Sequence, residues 1–501
     1  MKYKNPVIRG FNPDPSICRV GEDFYLATSS FEYFPGLPIF HSRNLVDWEL
    51  IGHGVSRPDQ LTLSKAMPNA FGLYAPTLRY HEGRFYLLCT NVGGDNFESG
   101  NFLLWTDDIH GEWSDPIWLD VPGIDPSIFI EEDGTVYYNG THKDIYICEL
   151  DLATGQVGPR QNIWSGSGGR DPEGPHIYKK DGYYYLLISE GGTTYEHMIT
   201  MARSRSLNGP YEAYEANPVL TNRSLANDIR AVGHADLIQD QEGNWWSVCL
   251  GIRPLPSFPV RHNLGREVSL IPVTWEVGQW PVFGENGSLD TVIEAQLPAP
   301  RTHRIENKRA GFKDLHWTYL FNKSDDLVKV TEEGQLELLA NAANLNSQDE
   351  MAWYGRRQTE FSFTATASLK LPELELNQEA GLSIFMNAKH HYNIAVKRLA
   401  SGNVVFANQQ IGPLNGIQKQ VAYTQESIVL QITGTPDAYH LAYGSNLENL
   451  TELAQGDVKY LTTEVGGAFT GNFLALYASG NGQKSQKPII VEWFTYQVLE
   501  G

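Results

Sequence analysis

The sequence predicts an all-β protein: a five-bladed β-propeller over residues 1–295, a linker over 296–310, and a C-terminal antiparallel β-sandwich over 311–501. Three observations predict it. Helical periodicity is nearly absent, and short runs of Val, Ile, Tyr, Phe and Trp are punctuated by Gly, Asp, Asn and Pro, as strands joined by tight turns require. A repeat starts at Pro15, Pro76, Pro126, Pro175 and Ala235, a spacing of about 50 to 60 residues that suits propeller blades. After the fifth start the repeat does not return.

The five repeats read "DPSICRVGEDFYLATSS", "APTLRYHEGRFYLLCTN", "DPSIFIEEDGTVYYNGT", "GPHIYKKDGYYYLLISE" and "HADLIQDQEGNWWSVCL". Each has a small residue or Pro, an apolar strand, a turn carrying Gly, and a second strand crowded with aromatics. A third strand follows in "FHSRNLVDWELIG", "LLWTDDIHGEWSDPIWL" and "TMARSRSLNGPYEAYE", and a final outer strand makes the four that a blade needs. "IEAQLPAPRTHRIENKR" breaks the pattern as a Pro-containing linker. Beyond it, "QLELLA", "EFSFTATASLKL", "AGLSIFMNAKHHYNIAVKRL" and "KPIIVEWFTYQVL" alternate as half-buried sandwich strands do.

Bulk properties narrow the function. The 501 residues suit two or three domains. A formal charge of -21 disfavours nucleic acid and anionic membrane surfaces as partners, since either needs a basic face. The four cysteines, Cys18, Cys89, Cys148 and Cys249, form no CxxC pair and read as buried free thiols. "MKYKNPVIRGFNPDPS" lacks the apolar core of a signal peptide and no later stretch approaches a membrane span, so the expected location is cytoplasmic. The 12% aromatic content fits strands first and a sugar-stacking pocket second.

The repeat also gathers chemistry. Inner strands of a propeller surround one channel, so residues at equivalent strand starts converge on one opening. Asp14, Asp125 and Glu173 stand at three of those starts, and His234 at another. Singly, the acids read as turn or loop residues and His234 as a hydrogen-bonded core histidine. Jointly, three acids around one pocket oppose folding unless one is protonated, and function is the usual reason to keep them. Two carboxyl groups flanking a bond, one protonated and one ionised, are the equipment of glycoside hydrolysis, and a third could raise the donor's pKa. "SGSGGRDPEG" precedes a strand rather than a helix, so it reads as a loop delivering Glu173, not as a phosphate cradle.

With these pieces in place the sequence resembles glycoside hydrolase family 43, in its two-domain β-xylosidase and α-L-arabinofuranosidase branch. The matching pieces are "GFNPDPSICRVGEDFYLATSSFEYFPGLPIFHSRNLVDW", "YAPTLRYHEGRFYL", "GIDPSIF", "EGPHIYKKDGYYYLLISEGGT", "GHADLIQDQEGNWW" and "LGREVSLIPVTW", with "GGAFTGNF" in the C-terminal part. The resemblance implies Asp14 as general base, Glu173 as general acid and Asp125 as pKa modulator. It implies sugar contacts from Arg266, His234 beneath the channel, pocket walls from Phe31 and Tyr74, and closure by Phe469. It implies an inverting exo-glycosidase that takes one pentose from xylan or arabinoxylan oligosaccharides and requires no cofactor. Some members hold calcium near the channel histidine, here His234, and homo-oligomers are common. Tyr74 replaces a Trp frequent in relatives, and "GIDPS" replaces "FDAS". Two other readings stay open: a retaining fructan-type propeller hydrolase and a non-catalytic carbohydrate-binding propeller.

Overall fold

The computed structural model describes residues 1–63, 71–93, 99–301, 311–371, 374–467 and 469–499; residues 302–310 of the expected linker lie outside these. The first five sheets are built as blades, each a four-stranded antiparallel meander in chain order. Blade I comprises Ser16–Val20, Asp23–Ala27, Gly36–Ser42 and Glu49–Val55. Blade II comprises Thr77–His81, Arg84–Val92, Gly100–Thr106 and Ile117–Leu119, with the short Gly72–Leu73 also paired to its second strand. The inner strands of blades III, IV and V are Ile124–Ile130, Glu173–Lys180 and Arg230–Gln239. Each inner strand touches the next and the fifth touches the first, so the ring closes.

Closure is reinforced from the chain start. Lys2–Lys4 pairs antiparallel with Val292–Glu294, and Tyr3 enters a core shared by blades I and V with Ile17, Phe24, Trp246 and Leu270. Buried Asn5 clamps Leu270 through both its amide and carbonyl groups at 2.9 Å. Beyond the blades, a seven-stranded and a six-stranded antiparallel sheet pack face to face as the sandwich, over a core that includes Leu338, Phe363, Leu382, Leu430, Leu476 and Val491. The described residues contain one α-helix, Thr463–Gly466, which the near absence of helical periodicity anticipates.

The sandwich is fused to the propeller. Tyr33–Phe34 pairs with Tyr319–Leu320, and Tyr33 stacks on Phe473 with centroids 3.9 Å apart. Tyr33, Leu320 and Phe473 belong to one apolar cluster with Phe11, Phe31, Trp353 and Phe385, so burial of aromatic surface joins the two units.

The channel is layered. One residue beyond each blade start stand Ser16, Thr77, Ser127, His176 and Asp236, all buried. Asp236 of blade V accepts from Ser16 Oγ (2.8 Å), from Tyr178 Oη of blade IV (2.7 Å), and from both Nη1 (2.8 Å) and Nη2 (3.2 Å) of Arg79 of blade II. His176 Nδ1 meets Arg79 Nη2 at 3.0 Å and Ser127 Oγ of blade III at 2.9 Å. All five blades are thus represented around one buried ion pair. Burial opposes the charge on Asp236, but Arg79, His176 and Tyr178 overcome it and hold the carboxyl well below its usual range. Burial pushes His176 down to about 3, so its ring is neutral. Removing one partner of such a pair strands the other: Asp236→Ala is expected to cost about 3–5 kcal/mol in denaturant unfolding, whereas Asp133→Ala on the surface should stay within about 0.5 kcal/mol.

Candidate active site

The turn that enters each inner strand positions the site. The residue immediately before the strand's Pro or Ala is left-handed in four blades: Asp14 (φ 56°), Asp125 (57°), Gly174 (60°) and His234 (45°). That conformation is costly for a residue with a Cβ and is typical of functional sites held by their surroundings. Strand pairing is also interrupted there, between Ile124 and Ser127, Glu173 and His176, and Gly233 and Asp236. Such bulges re-aim side chains. In blade IV the equivalent position is Gly174, and Glu173 stands one residue earlier. A Cβ at Gly174 would lie 3.0 Å from the His234 ring, so the backbone there passes directly against the histidine.

The three carboxyl groups have different surroundings. Asp14, 4% exposed, receives Arg266 Nη1 on Oδ1 at 2.8 Å and Ser29 Oγ on Oδ2 at 2.6 Å, with His234 Nδ1 3.8 Å from Oδ1. Burial opposes its ionisation, yet Arg266, His234 and Ser29 together leave its pKa below the ordinary value. Among the described residues Asp125 accepts only the Gly174 N–H, at 2.9 Å on Oδ2. Burial raises it first; His234 and the Gly174 N–H oppose the rise, Glu173 and Asp14 add to it, and the result is about 7. Glu173 is partly open to solvent, and His197 Nε2 stands 3.3 Å from its Oε1.

Aromatic residues wall the pocket. Phe31 lies 5.0 Å from Tyr74 and 5.9 Å from Phe469 between ring centroids, and the Arg266 guanidinium sits over Phe31 at 5.5 Å and Phe469 at 6.0 Å. All eight residues singled out in the sequence therefore meet: Asp14, Asp125, Glu173, His234 and Arg266 by charge, Phe31, Tyr74 and Phe469 by ring contact. Phe469 comes from the sandwich. Gly265 and Gly471 allow this, because a Cβ on Gly471 would lie 2.3 Å from the Leu264 carbonyl oxygen and one on Gly265 would lie 2.9 Å from the Gly471 nitrogen. Two backbones touch where side chains would hold them apart.

The chain is similar to known proteins along nearly its whole length. Residues 3–281 match the family Glycosyl hydrolases family 43, and residues 310–497 match the β-xylosidase C-terminal concanavalin A-like domain. The chain belongs to glycosyl hydrolase family 43. It is 40% identical to a non-reducing end α-L-arabinofuranosidase of Bacteroides ovatus, over 99% of this chain and 95% of the relative. It is 37% identical to a xylosidase/arabinosidase of Butyrivibrio fibrisolvens, over 98% of this chain and 99% of the relative. Among solved structures, a xylan β-1,4-xylosidase from Bacillus halodurans superimposes with a TM-score of 0.91 at 31% identity, covering 99% of both chains.

This family 43 glycosidase also uses residues that sequence reasoning missed. Buried Glu190 accepts from Ser167 N (3.0 Å), Ser167 Oγ (2.7 Å), Gly169 N (2.8 Å) and the Thr200 hydroxyl, pinning the loop that delivers Glu173. Ser29 and His197 were missed too. Their signal is faint, a Ser in "ATSS" and a Glu and His in "SEGGTTYEH", all common residue types. Calcium takes six to eight oxygen ligands, and around His234 the oxygens of Asp14 and Oδ2 of Asp125 are already engaged. Among the described residues no group of three or more His, Cys, Asp or Glu is arranged to hold a metal.

Asp125 binds its proton more tightly folded than unfolded, so it leaves stability unaffected below the ordinary carboxylate pKa and subtracts stability increasingly as pH rises through about 7. Asp125→Asn should therefore raise the melting temperature clearly at pH 8 and much less at pH 5, measured by calorimetry. Gly471→Ala should displace the Leu264–Arg266 segment and lower kcat/KM on the order of a hundredfold, as small misplacements near the chemistry do, with the fold retained by circular dichroism.

Proposed function

We propose that this protein is an inverting, exo-acting glycoside hydrolase releasing a terminal pentose, α-L-arabinofuranose or β-D-xylose or both, from arabinoxylan or xylan oligosaccharides. The observation that carries the reading is the division among the carboxyl groups. Asp14, held ionised by Arg266 and Ser29, suits a general base that takes a proton from water. Glu173, the most open of the three, suits the acid that protonates the departing oxygen. Asp125, raised to about 7, is protonated or charged according to its neighbours and favours a proton on Glu173 by repulsion when charged. Water attacks the anomeric carbon from the Asp14 side, the glycosidic C–O bond breaks toward Glu173, and the configuration inverts.

Phe31, Tyr74 and Phe469 support an exo mode, because rings on several sides leave room for one sugar end rather than a continuing chain. The relatives are named for both pentosides, which supports a dual substrate class. The test is hydrolysis of 4-nitrophenyl α-L-arabinofuranoside and 4-nitrophenyl β-D-xylopyranoside, with the first-formed anomer followed by NMR. Inversion with at least one substrate is expected, and Asp14→Ala and Glu173→Ala should each lose about 10²–10⁴-fold on the corresponding oligosaccharide. Retention would favour the fructan-type mechanism, and binding without hydrolysis would favour a carbohydrate-binding protein.

A further inference from the structure

His197 is 1% exposed, and neither ring nitrogen has a hydrogen-bond partner among the described residues. Unpaired buried nitrogens are uncommon and call for a reason. The ring packs where only a glycine leaves room: a Cβ on Gly233 would lie 2.2 Å from its Cε1 and Nδ1, so the imidazole lies against that glycine. Its backbone is tied as well, the N–H donating to Thr194 O at 3.2 Å and the carbonyl accepting from Thr221 Oγ1 at 3.1 Å. Nε2 is left 3.3 Å from Glu173 Oε1, close but not aligned as a hydrogen bond. Catalytic hydrogen bonds are often this loose before substrate binds. On its other side His197 lines a cavity of about 220 Å³ together with Arg266 and Phe469, which places it at the edge of the sugar pocket.

We infer that His197 is a positioning residue for Glu173: in the substrate complex its Nε2–H donates to Oε1, so that the acid's transferable proton resides on Oε2. This inference rests on the reading of Glu173 as the acid. A carboxylic acid carries its proton on one oxygen, and an N–H donor facing the other decides which. When Glu173 gives its proton to the leaving oxygen, the same N–H stabilises the carboxylate that forms. The charged groups around the pair are Asp125 and Asp14, with Arg266, His234, His262 and Glu464 behind them.

The experiment compares His197→Gln, whose amide nitrogen can replace Nε2, with His197→Asn, whose amide reaches only the Nδ1 position, and with His197→Leu. Each is assayed on a natural pentose disaccharide and on the 4-nitrophenyl pentoside that the wild type cleaves. A nitrophenolate leaves with little help from an acid, whereas a sugar alkoxide needs the proton. Asn and Leu are expected to lose at least about tenfold more kcat/KM on the disaccharide than on the nitrophenyl substrate, and to move the alkaline limb of the pH profile upward, because losing a donor to the carboxylate favours its protonated form. Gln should restore both. Equal losses on the two substrates, an unmoved profile, or rescue by Asn rather than Gln overturns the inference. If Leu does not fold by thermal melting, the comparison of Gln with Asn decides. Glu173→Ala in the same assay separates the two readings: if it shows the leaving-group dependence and the His197 variants do not, only the role of His197 fails, and if it shows none, the acid assignment fails as well.

Discussion

Crowding of negative charge in one channel mouth is the constraint on which the rest of the structure depends. Burial, with Glu173 and Asp14 close by, pushes Asp125 to about 7, and Arg266 is bound to Asp14. Asp14 and Asp125 are consequently pushed in opposite directions by their surroundings. The layer beneath supplies the opposite arrangement, one aspartate surrounded by donors from three other blades. Tension at the mouth is tolerated because the layer below is tied across the ring.

The same logic explains the backbone. A left-handed residue before a strand turns its side chain across the channel instead of along it, at a local cost that the bulged pairing and the closed ring absorb. Three of the four such positions carry Asp or His, and the fourth is a glycine with Glu173 one residue before it. Glu173 is also the most open of the three carboxyl groups.

Much of this was legible in the sequence because repetition encodes position. Asp-Pro-Ser at residues 14–16 and 125–127 marked two strand starts, and equivalence to them carried Glu173 and His234 to the same opening. Alternation marked the sandwich strands. What could not be read were partners that no repeat aligns. Glu190 and His197 act from the second strand of blade IV and the turn after it, and their roles depend on where a loop folds back. Arg79 stands inside a repeated strand, and its pairing with Asp236 crosses 157 residues of chain. Phe469 was legible through resemblance alone, since nothing in alternation says that a sandwich turn reaches a propeller channel.

The contact of Gly265 with Gly471 has a consequence for how this enzyme can change over generations. One wall of the pocket is encoded near residue 31 and another near residue 469, in two units that each keep a core and share an aromatic cluster where they meet. Changes at the tip of the sandwich turn therefore reshape what the propeller admits, while the Gly265–Gly471 contact beside Arg266 has to be kept. The boundary between the two folds is not a boundary of function: selection on substrate size can act on the accessory unit, within the limit that this contact sets.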